Sequence, residues 1–146
     1  MKAIADTGLI VAVGNRTDRF HSWAVEIARN MTEPLLTCEA VLAEAAFHPR
    51  SVAYVLSLIE DGMLQVSFEI PKHQERLAEL AERYQDRQLD LADLCLIRMS
   101  ELFPQHTVIK VDEEDFRIYR RNNRETIPLL CPPRMLKKGA CHSESL

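Results

Sequence analysis

Short apolar runs alternate with longer segments of helical periodicity along most of the 146 residues of this chain. The short runs are typical of buried strands, and the longer segments carry apolar residues on one helical face. This order predicts a parallel sheet with helices on both faces, which is an α/β fold. We expect one domain over residues 1–130 and a loose tail over residues 131–146, where Pro, Lys, Gly and Ser accumulate.

Strands and helices can be placed roughly along this domain. Strands are expected at residues 2–5, 35–36, 63–68, 107–111 and 127–130, and helical segments at residues 20–30, 38–48, 51–60, 71–84, 91–103 and 116–121. The apolar residues 9–13 fit either an extension of the first strand or a buried helix, since periodicity alone does not separate the two. Thr37 is the expected N-cap of the helix that follows the second strand.

Composition narrows the class of protein. Hydrophobic residues make up 47% of the chain and charged residues 27%, as in soluble globular proteins, and no apolar stretch is long enough to cross a bilayer. The N-terminus lacks a secretion signal, and the four cysteines form no C-x-x-C pair, so a cytoplasmic protein with reduced thiols is expected. The net charge of −4 excludes a general basic footprint for nucleic acid, although a local basic patch could still hold phosphates.

Four acidic side chains are expected to converge at one edge of the sheet. Asp6 directly follows the first strand, and Asp112 directly follows the fourth. Glu44 lies on the helix after the second strand, and Asp93 lies near the start of the helix before the fourth. Ligands of open α/β sheets bind beyond the carboxyl ends of the strands, so all four side chains could reach one crevice.

Helix caps and turns are the ordinary alternative for several aspartates. Asp6 and Asp90 each precede a segment that could be helical, so each could be an N-cap. Asp90 lies three residues before Asp93 and could instead share a helical face with it and support it. Asp112 could lie in a solvated acidic turn, and Asp115 could cap the next helical piece or support the acidic site.

Glu44 and Asp93 lie among apolar neighbours, where a carboxylate needs a partner such as Arg98 or Arg87. Four carboxylates in one crevice would repel one another, by about 4 kcal/mol for a pair about 4 Å apart at an effective dielectric constant of about 20. Hard oxygen ligands suit Mg²⁺ or Mn²⁺, which can activate water and stabilise phosphate oxygens. The acidic set therefore predicts metal-dependent hydrolysis of phosphodiester bonds.

The acidic residues fall in four short stretches, at residues 5–8 (Ala-Asp-Thr-Gly), 37–44, 90–94 (Asp-Leu-Ala-Asp-Leu) and 111–116 (Val-Asp-Glu-Glu-Asp-Phe). In order and spacing the chain resembles a PIN-domain nuclease, and most of all the VapC-type toxins of bacterial toxin–antitoxin pairs. The resemblance spans roughly residues 2–130. It implies a three-layer α/β/α sandwich with a central parallel sheet, and a metal-dependent endoribonuclease that acts on tRNA, rRNA or mRNA.

The resemblance also implies roles for particular residues. Asp6 and Asp93 would be the main ligands of Mg²⁺ (or Mn²⁺), and Glu44 and Asp112 would complete the site through water or a second ion. Thr7 would hold Asp6 or a metal-bound water in place without contacting the metal itself. The family further implies a homodimer and inhibition by a small antitoxin protein that inserts a segment into the active site.

Basic residues lie beside the last acidic stretch. Where the family usually has a threonine two residues before the aspartate that follows the fourth strand, this chain has Lys110. Lys110 could leave Asp112 less firmly held, or it could contact RNA phosphate. Arg117, Arg120 and Arg121 could grip the RNA backbone or form a solvated, salt-bridged face.

Two other functions stay open. Lys110 is compatible with a catalytically weak or inactive PIN-like module that binds RNA or a partner protein. The same acidic set would also serve a metal-dependent phosphatase or a DNA nuclease, because these enzymes catalyse related displacements at phosphorus.

Overall fold

The computed structural model describes residues 1–47, 51–112 and 116–133. Its elements in chain order are β1 (Ala3–Ala5), α1 (Thr7–Gly14), α2 (His21–Arg29), β2 (Leu35–Thr37), α3 (Glu39–Phe47), α4 (Val52–Glu60), β3 (Leu64–Val66), α5 (Gln74–Arg83), α6 (Leu91–Leu102), β4 (Thr107–Ile109), β5 (Arg120–Arg121), β6 (Glu125–Thr126) and β7 (Leu129–Leu130). Short 3₁₀ helices at Ile70–His73 and Phe116–Ile118 precede α5 and β5. None of the helices in these ranges is long and apolar enough to span a membrane. The expected tail lies outside the described residues, apart from residues 131–133.

The main sheet has the strand order β3-β2-β1-β4-β7, and every neighbouring pair is parallel. This confirms the predicted α/β fold, a three-layer α/β/α sandwich with a central parallel sheet. β1 lies in the middle, and its last residue, Ala5, is paired with Ile109, the last residue of β4. The residues that follow these two strands therefore leave the sheet at neighbouring points.

Both faces of the sheet are covered by helices. Ala3, Ile4 and Ala5 are all completely buried, although successive side chains of a strand point to opposite faces. The helices contribute further fully buried side chains, among them Leu9, Val41, Leu96, Ile97 and Met99. The buried cysteines Cys38 and Cys95 are reduced thiols. Because both faces are apolar and dry, the ends of the strands are where polar side chains can meet a ligand.

Residues 9–13 belong to helix α1, one of the two alternatives that periodicity left open. The prediction of Thr37 as an N-cap is wrong, because α3 begins at Glu39, so that Cys38 stands between Thr37 and the helix. Thr37 is instead completely buried in β2, and its hydroxyl donates a hydrogen bond to the carbonyl of Ala5 at 3.3 Å. It therefore ties β2 to β1.

Residues 116–121 form a 3₁₀ turn and the first strand of a hairpin, where a helical segment was expected. β5 pairs with β6 in an antiparallel manner, and the turn residues Asn122 and Asn123 have φ angles of 51° and 66°. Asparagine adopts this left-handed conformation more readily than most residues, and tight hairpin turns require it. The Asn-Asn pair was therefore the sequence signal for this hairpin.

The hairpin is fastened to α6 through Glu101, whose side chain is 2% exposed. The carboxylate accepts hydrogen bonds from Arg76 Nε at 3.1 Å and Nη2 at 2.7 Å, from Arg98 Nη1 at 2.9 Å and from the amide of Asn122 at 2.7 Å. Burial would raise the pKa of Glu101, but these donors outweigh burial and hold the pKa below its usual value. One buried carboxylate thus joins α5, α6 and the hairpin turn.

Candidate active site

The site begins where β1 and β4 end. Asp6 follows β1 and Lys110 follows β4, and the pairing of Ala5 with Ile109 sets the two residues side by side. The amide of Asp6 donates to the carbonyl of Ile109 at 3.2 Å, and the amide of Lys110 donates to the carbonyl of Leu130 at 3.1 Å. The sheet therefore fixes both backbones at the edge where ligands of such folds bind.

Asp6 stands at the N-cap position of α1, but its carboxylate makes no capping hydrogen bond. It accepts a hydrogen bond from Lys110 Nζ instead, at 2.6 Å. A capping aspartate would hold its carboxylate against the amides of the first helical turn. The explanation of Asp6 as an ordinary helix cap is therefore wrong.

Lys110 lies at the centre of the acidic group, with a side chain that is 9% exposed. Its Nζ lies 3.6 Å from Asp93 Oδ1, in addition to its contact with Asp6, and 4.8 Å from the centroid of the Phe116 ring. Burial would lower the pKa of Lys110, but the charge and hydrogen bond of Asp6, followed by the charges of Asp93 and Asp112, raise it above its usual value. Lys110 is therefore a buried ammonium among carboxylates.

Asp93 lies in the first turn of α6, and Asp90 caps that helix. Asp90 Oδ1 accepts a hydrogen bond from the amide of Asp93 at 2.8 Å, which confirms the N-cap prediction for Asp90. Burial raises the pKa of Asp93 to about 6, and the charges of Asp90 and Asp6 act in the same direction, while Lys110 opposes them. The carboxylate of Asp93 is therefore poorly solvated and would be stabilised by a nearby cation.

Glu44 lies half-buried on α3, and Thr7 at the start of α1 holds it. Thr7 Oγ1 donates to Glu44 Oε1 at 2.6 Å, so the hydroxyl supports the glutamate and not the neighbouring aspartate. Arg98, an expected salt-bridge partner for the buried carboxylates of the site, donates to Glu101 instead. The ordinary explanation of these carboxylates as partners of Arg98 therefore fails.

An open pocket of about 600 Å³ joins these groups. The predicted residues that line it are Asp6, Thr7, Glu44, Asp90, Asp93, Lys110 and Asp112. They come from the ends of β1 and β4, from α1, α3 and α6, and so from widely separated parts of the sequence. The four acidic side chains therefore share one cavity, while their chemical roles stay predictions. Asp115, a predicted supporting residue, lies outside the described residues.

The loop before α2 supplies three further wall residues, Asp18, Arg19 and Phe20, that were not among the predicted site residues. The guanidinium carbon of Arg19 lies 5.3 Å from the centroid of the Phe20 ring. A cation beside an aromatic ring at a pocket suits a phosphate and a base. The adjacent Arg-Phe pair after a polar loop was the available sequence signal.

The arginines near the hairpin do not line this pocket in the part of the chain that the structure describes. Arg121 Nη1 donates to the carbonyls of Ser100 at 3.2 Å and Pro104 at 3.0 Å, so its guanidinium fastens the hairpin to α6. Arg120 Nη1 donates to the carbonyl of Arg117 at 2.8 Å, and Arg117 is exposed. RNA contacts of these three arginines stay a prediction. Arg121 already has a structural role.

Gly8 allows α1 to pack closely against the segment that follows β4. A Cβ at this position would overlap Val111 Cγ2, and Val111 is β-branched and cannot easily turn away. We expect Gly8→Ala to lower the free energy of unfolding by about 1–3 kcal/mol, the usual cost of overpacking, despite the higher helix propensity of alanine. Urea denaturation measures this change.

The double variant Gly8→Ala/Val111→Ala tests the cause of that loss. It removes the methyl group that the new Cβ would meet, so it should be more stable than the sum of the two single changes predicts. Strictly additive single effects would show that contact between residues 8 and 111 is not the source of the destabilisation.

The donor set of the pocket suits a hard divalent cation, because its acidic groups are carboxylates. As the side chains stand, no three acidic, histidine or cysteine side chains among the described residues converge closely enough to hold an ion. The ammonium of Lys110 lies within 4 Å of both Asp6 and Asp93. The residues therefore fit Mg²⁺ or Mn²⁺ by their chemistry, and holding the ion requires the side chains to rearrange around it.

Comparison with known proteins agrees with this geometry. The family model of the PIN domain matches residues 3–121, a stretch that contains β1 to β5 and all of the acidic residues of the pocket. No individually curated protein matches the chain. Because the match covers well over half of the 146 residues, the chain belongs to the PIN domain family.

Proposed function

We propose that this chain is a metal-dependent endoribonuclease and the toxin of a toxin–antitoxin pair. PIN domains are generally nucleases that cleave RNA with divalent metal ions, and the chain belongs to that family. The observation that carries the proposal is the meeting of Asp6, Glu44, Asp93 and Asp112 in one open pocket. Acidic side chains from four separate segments repel one another, and hydrolysis of a phosphodiester with bound cations is the chemistry that such a cluster serves.

In this proposal Asp6 and Asp93 hold the metal ion, and Glu44 and Asp112 complete the site through water or a second ion. The ion, when bound, makes a water molecule more acidic and neutralises charge on the phosphate oxygens. Thr7 keeps the Glu44 carboxylate in place through its 2.6 Å hydrogen bond. Asp93 is poorly solvated, so its carboxylate gains more from a cation than an exposed one would.

Substrate binding in the proposal uses cations at the rim of the pocket. Arg19 lines the pocket beside Phe20, where a guanidinium could pair with the RNA backbone and the ring could stack on a base. Arg117 and Arg120 could extend this contact along the backbone. Because such contacts release counter-ions from the RNA, binding should weaken as salt is added.

The remaining parts of the proposal follow from the resemblance to VapC-type toxins. They are a homodimer, a cytoplasmic location and inhibition by a small antitoxin protein. Induction of the chain alone should arrest growth of a bacterial culture, and growth should recover when the cognate antitoxin is produced. Unchanged growth on induction of a soluble, folded protein would count against the toxin role but not against the nuclease.

The direct test is cleavage of a substrate panel with and without metal. We expect Mn²⁺ or Mg²⁺ to produce endonucleolytic fragments from RNA and excess EDTA to prevent them, because the proposed site works only with a bound ion. Single-stranded DNA and a small phosphate monoester serve as the comparison substrates. Cleavage of DNA or of the monoester in preference to RNA would replace the proposal with a DNA nuclease or a phosphatase.

A second candidate function is favoured by one specific observation. The ammonium of Lys110 already neutralises part of the acidic cluster, at 2.6 Å from Asp6. The chain could therefore serve as a catalytically weak or inactive PIN-like module that binds RNA or a partner protein. RNA binding without any metal-dependent fragments in the same panel would support this candidate.

A further inference from the structure

Lys110 places a positive charge in the acidic pocket, as a bound metal ion would. Its Nζ lies 2.6 Å from Asp6 Oδ2 and 3.6 Å from Asp93 Oδ1, the two carboxylates that the proposed function assigns to the metal. We propose that Lys110 is an internal counter-ion that competes with a divalent cation, so that metal enters only when the ammonium withdraws. This inference rests on the proposed function, and it adds a control on metal affinity within the chain itself.

Geometry sets the two cations in competition for the carboxylate of Asp6. An Mg²⁺ or Mn²⁺ ion lies about 2.1 Å from a ligand oxygen, and Lys110 Nζ lies 2.6 Å from the carboxylate oxygen of Asp6. Two cations on that same oxygen would therefore be less than about 5 Å apart, between side chains that are largely buried, where repulsion between like charges is strong. The described side chains fit this picture, because no three potential ligands converge on a metal position while the ammonium is present.

The ammonium can withdraw without disturbing the sheet. The amide of Lys110 is fixed by its hydrogen bond to the carbonyl of Leu130 at 3.1 Å. Its side chain, however, is a flexible four-carbon chain, and the pocket is open. Withdrawal of the ammonium therefore needs movement of the Lys110 side chain only, and the acidic side chains then rearrange around the ion.

The test compares metal binding by the parent protein and by Lys110→Met, which keeps an unbranched side chain one atom shorter and removes its charge. Isothermal titration with MnCl₂ should give a dissociation constant about 10- to 100-fold lower for the variant, the scale on which neighbours of metal ligands alter affinity. Lys72→Met is the matched control, because Lys72 forms an exposed ion pair with Glu69 and should leave Mn²⁺ binding unchanged. Lys110→Arg keeps a cation in the pocket and should bind Mn²⁺ as weakly as the parent.

Thermal unfolding provides a second readout that needs no activity. Without metal, Lys110→Met should have a lower Tm than the parent, because Asp6 and Asp93 lose their counter-ion. Added Mn²⁺ should raise the Tm of the variant more than that of the parent, since a tighter ligand stabilises more at the same concentration. If Lys110→Met does not fold, Lys110→Gln, which keeps a polar side chain, replaces it in both experiments.

The results separate this inference from the proposed function. Equal Mn²⁺ affinity in the parent and in Lys110→Met would overturn the competition, even if both proteins cleave RNA. Tighter binding in the variant that disappears in Asp6→Asn/Lys110→Met would support it and locate the ion in this pocket, whereas binding retained in that double variant would overturn it. Tighter binding without RNA cleavage by any variant would leave the counter-ion role intact and remove the nuclease.

Discussion

Replacement of Asp93 by asparagine is expected to lower the rate of RNA cleavage at least about a hundredfold at saturating Mn²⁺. Mutation of groups that only support metal ligands already lowers metal affinity or activity about 10- to 100-fold, and Asp93 is a proposed ligand itself. The fold should survive, because burial raises the pKa of Asp93 to about 6 and so disfavours the charge that asparagine removes. Gel analysis of a labelled RNA measures cleavage, and circular dichroism checks the fold.

Asp61→Asn is the matched control for this experiment. It makes the same chemical change at an exposed residue that follows α4 and precedes β3. The start of a parallel strand lies at the edge of the sheet opposite the pocket. It should cleave RNA at the parental rate. Asp6→Asn should lose activity as Asp93→Asn does, although it also breaks the ion pair with Lys110. Parental cleavage by a well-folded Asp93→Asn protein would place the reaction outside this pocket.

Truncation of Glu101 to alanine is expected to lower the free energy of unfolding by about 3 kcal/mol or more. The change leaves Arg76, Arg98 and the amide of Asn122 without their shared acceptor, in a place where the carboxylate is 2% exposed. Removal of one partner from a buried ion pair costs far more than the net value of the pair, because the other charge stays desolvated. Chemical denaturation followed by circular dichroism gives the value.

Glu79→Ala controls for the loss of a negative charge beside the same arginine. Glu79 Oε1 accepts a hydrogen bond from Arg76 Nη1 at 3.2 Å, but the side chain of Glu79 is 61% exposed. Exposed ion pairs contribute about 0–1 kcal/mol, so this variant should be nearly as stable as the parent. If Glu101→Ala and Glu79→Ala lose similar free energy of unfolding, burial is not the reason that the ion pairs of Glu101 stabilise the fold.

Acid should remove the contribution of Glu101 in a definite pH range. The donors hold the pKa of Glu101 in the folded protein below its usual value of 4.5. A carboxylate with a lowered pKa stabilises the fold fully above the pKa of the unfolded chain and loses that contribution as the pH falls through the folded-state pKa. The stability difference between the parent and Glu101→Gln should therefore be constant near neutral pH and shrink below about pH 4.5.

The arrangement of the fold and the location of the site could be predicted because both follow from local patterns. Apolar runs that end on Asp6 and just before Asp112 mark two strands with the same polarity, and parallel strands bring such ends to one edge. Glu44 and Asp93 stood out because carboxylates are rare among apolar neighbours. Each of these signals is contained in a few consecutive residues.

Contacts set by strand register could not be predicted in the same way. The sequence suggests Lys110 as a contact to RNA phosphate or as a weak point beside Asp112, but the structure pairs it with Asp6. That pairing follows from the alignment of Ala5 with Ile109, which no local pattern reveals. The N-cap prediction for Thr37 fails for a similar reason, since its hydroxyl donates to a neighbouring strand and not to the next helix.

The two residues at the heart of the pocket, Asp6 and Lys110, are 104 positions apart in the sequence. Because Asp6 and Lys110 meet only when β1 pairs with β4, the pocket cannot assemble until β4 has left the ribosome. A partly synthesised chain would carry its acidic groups without the geometry that brings them together. Whatever this protein does at that edge, it can begin only after the segment that carries Lys110 has been synthesised and has paired with β1.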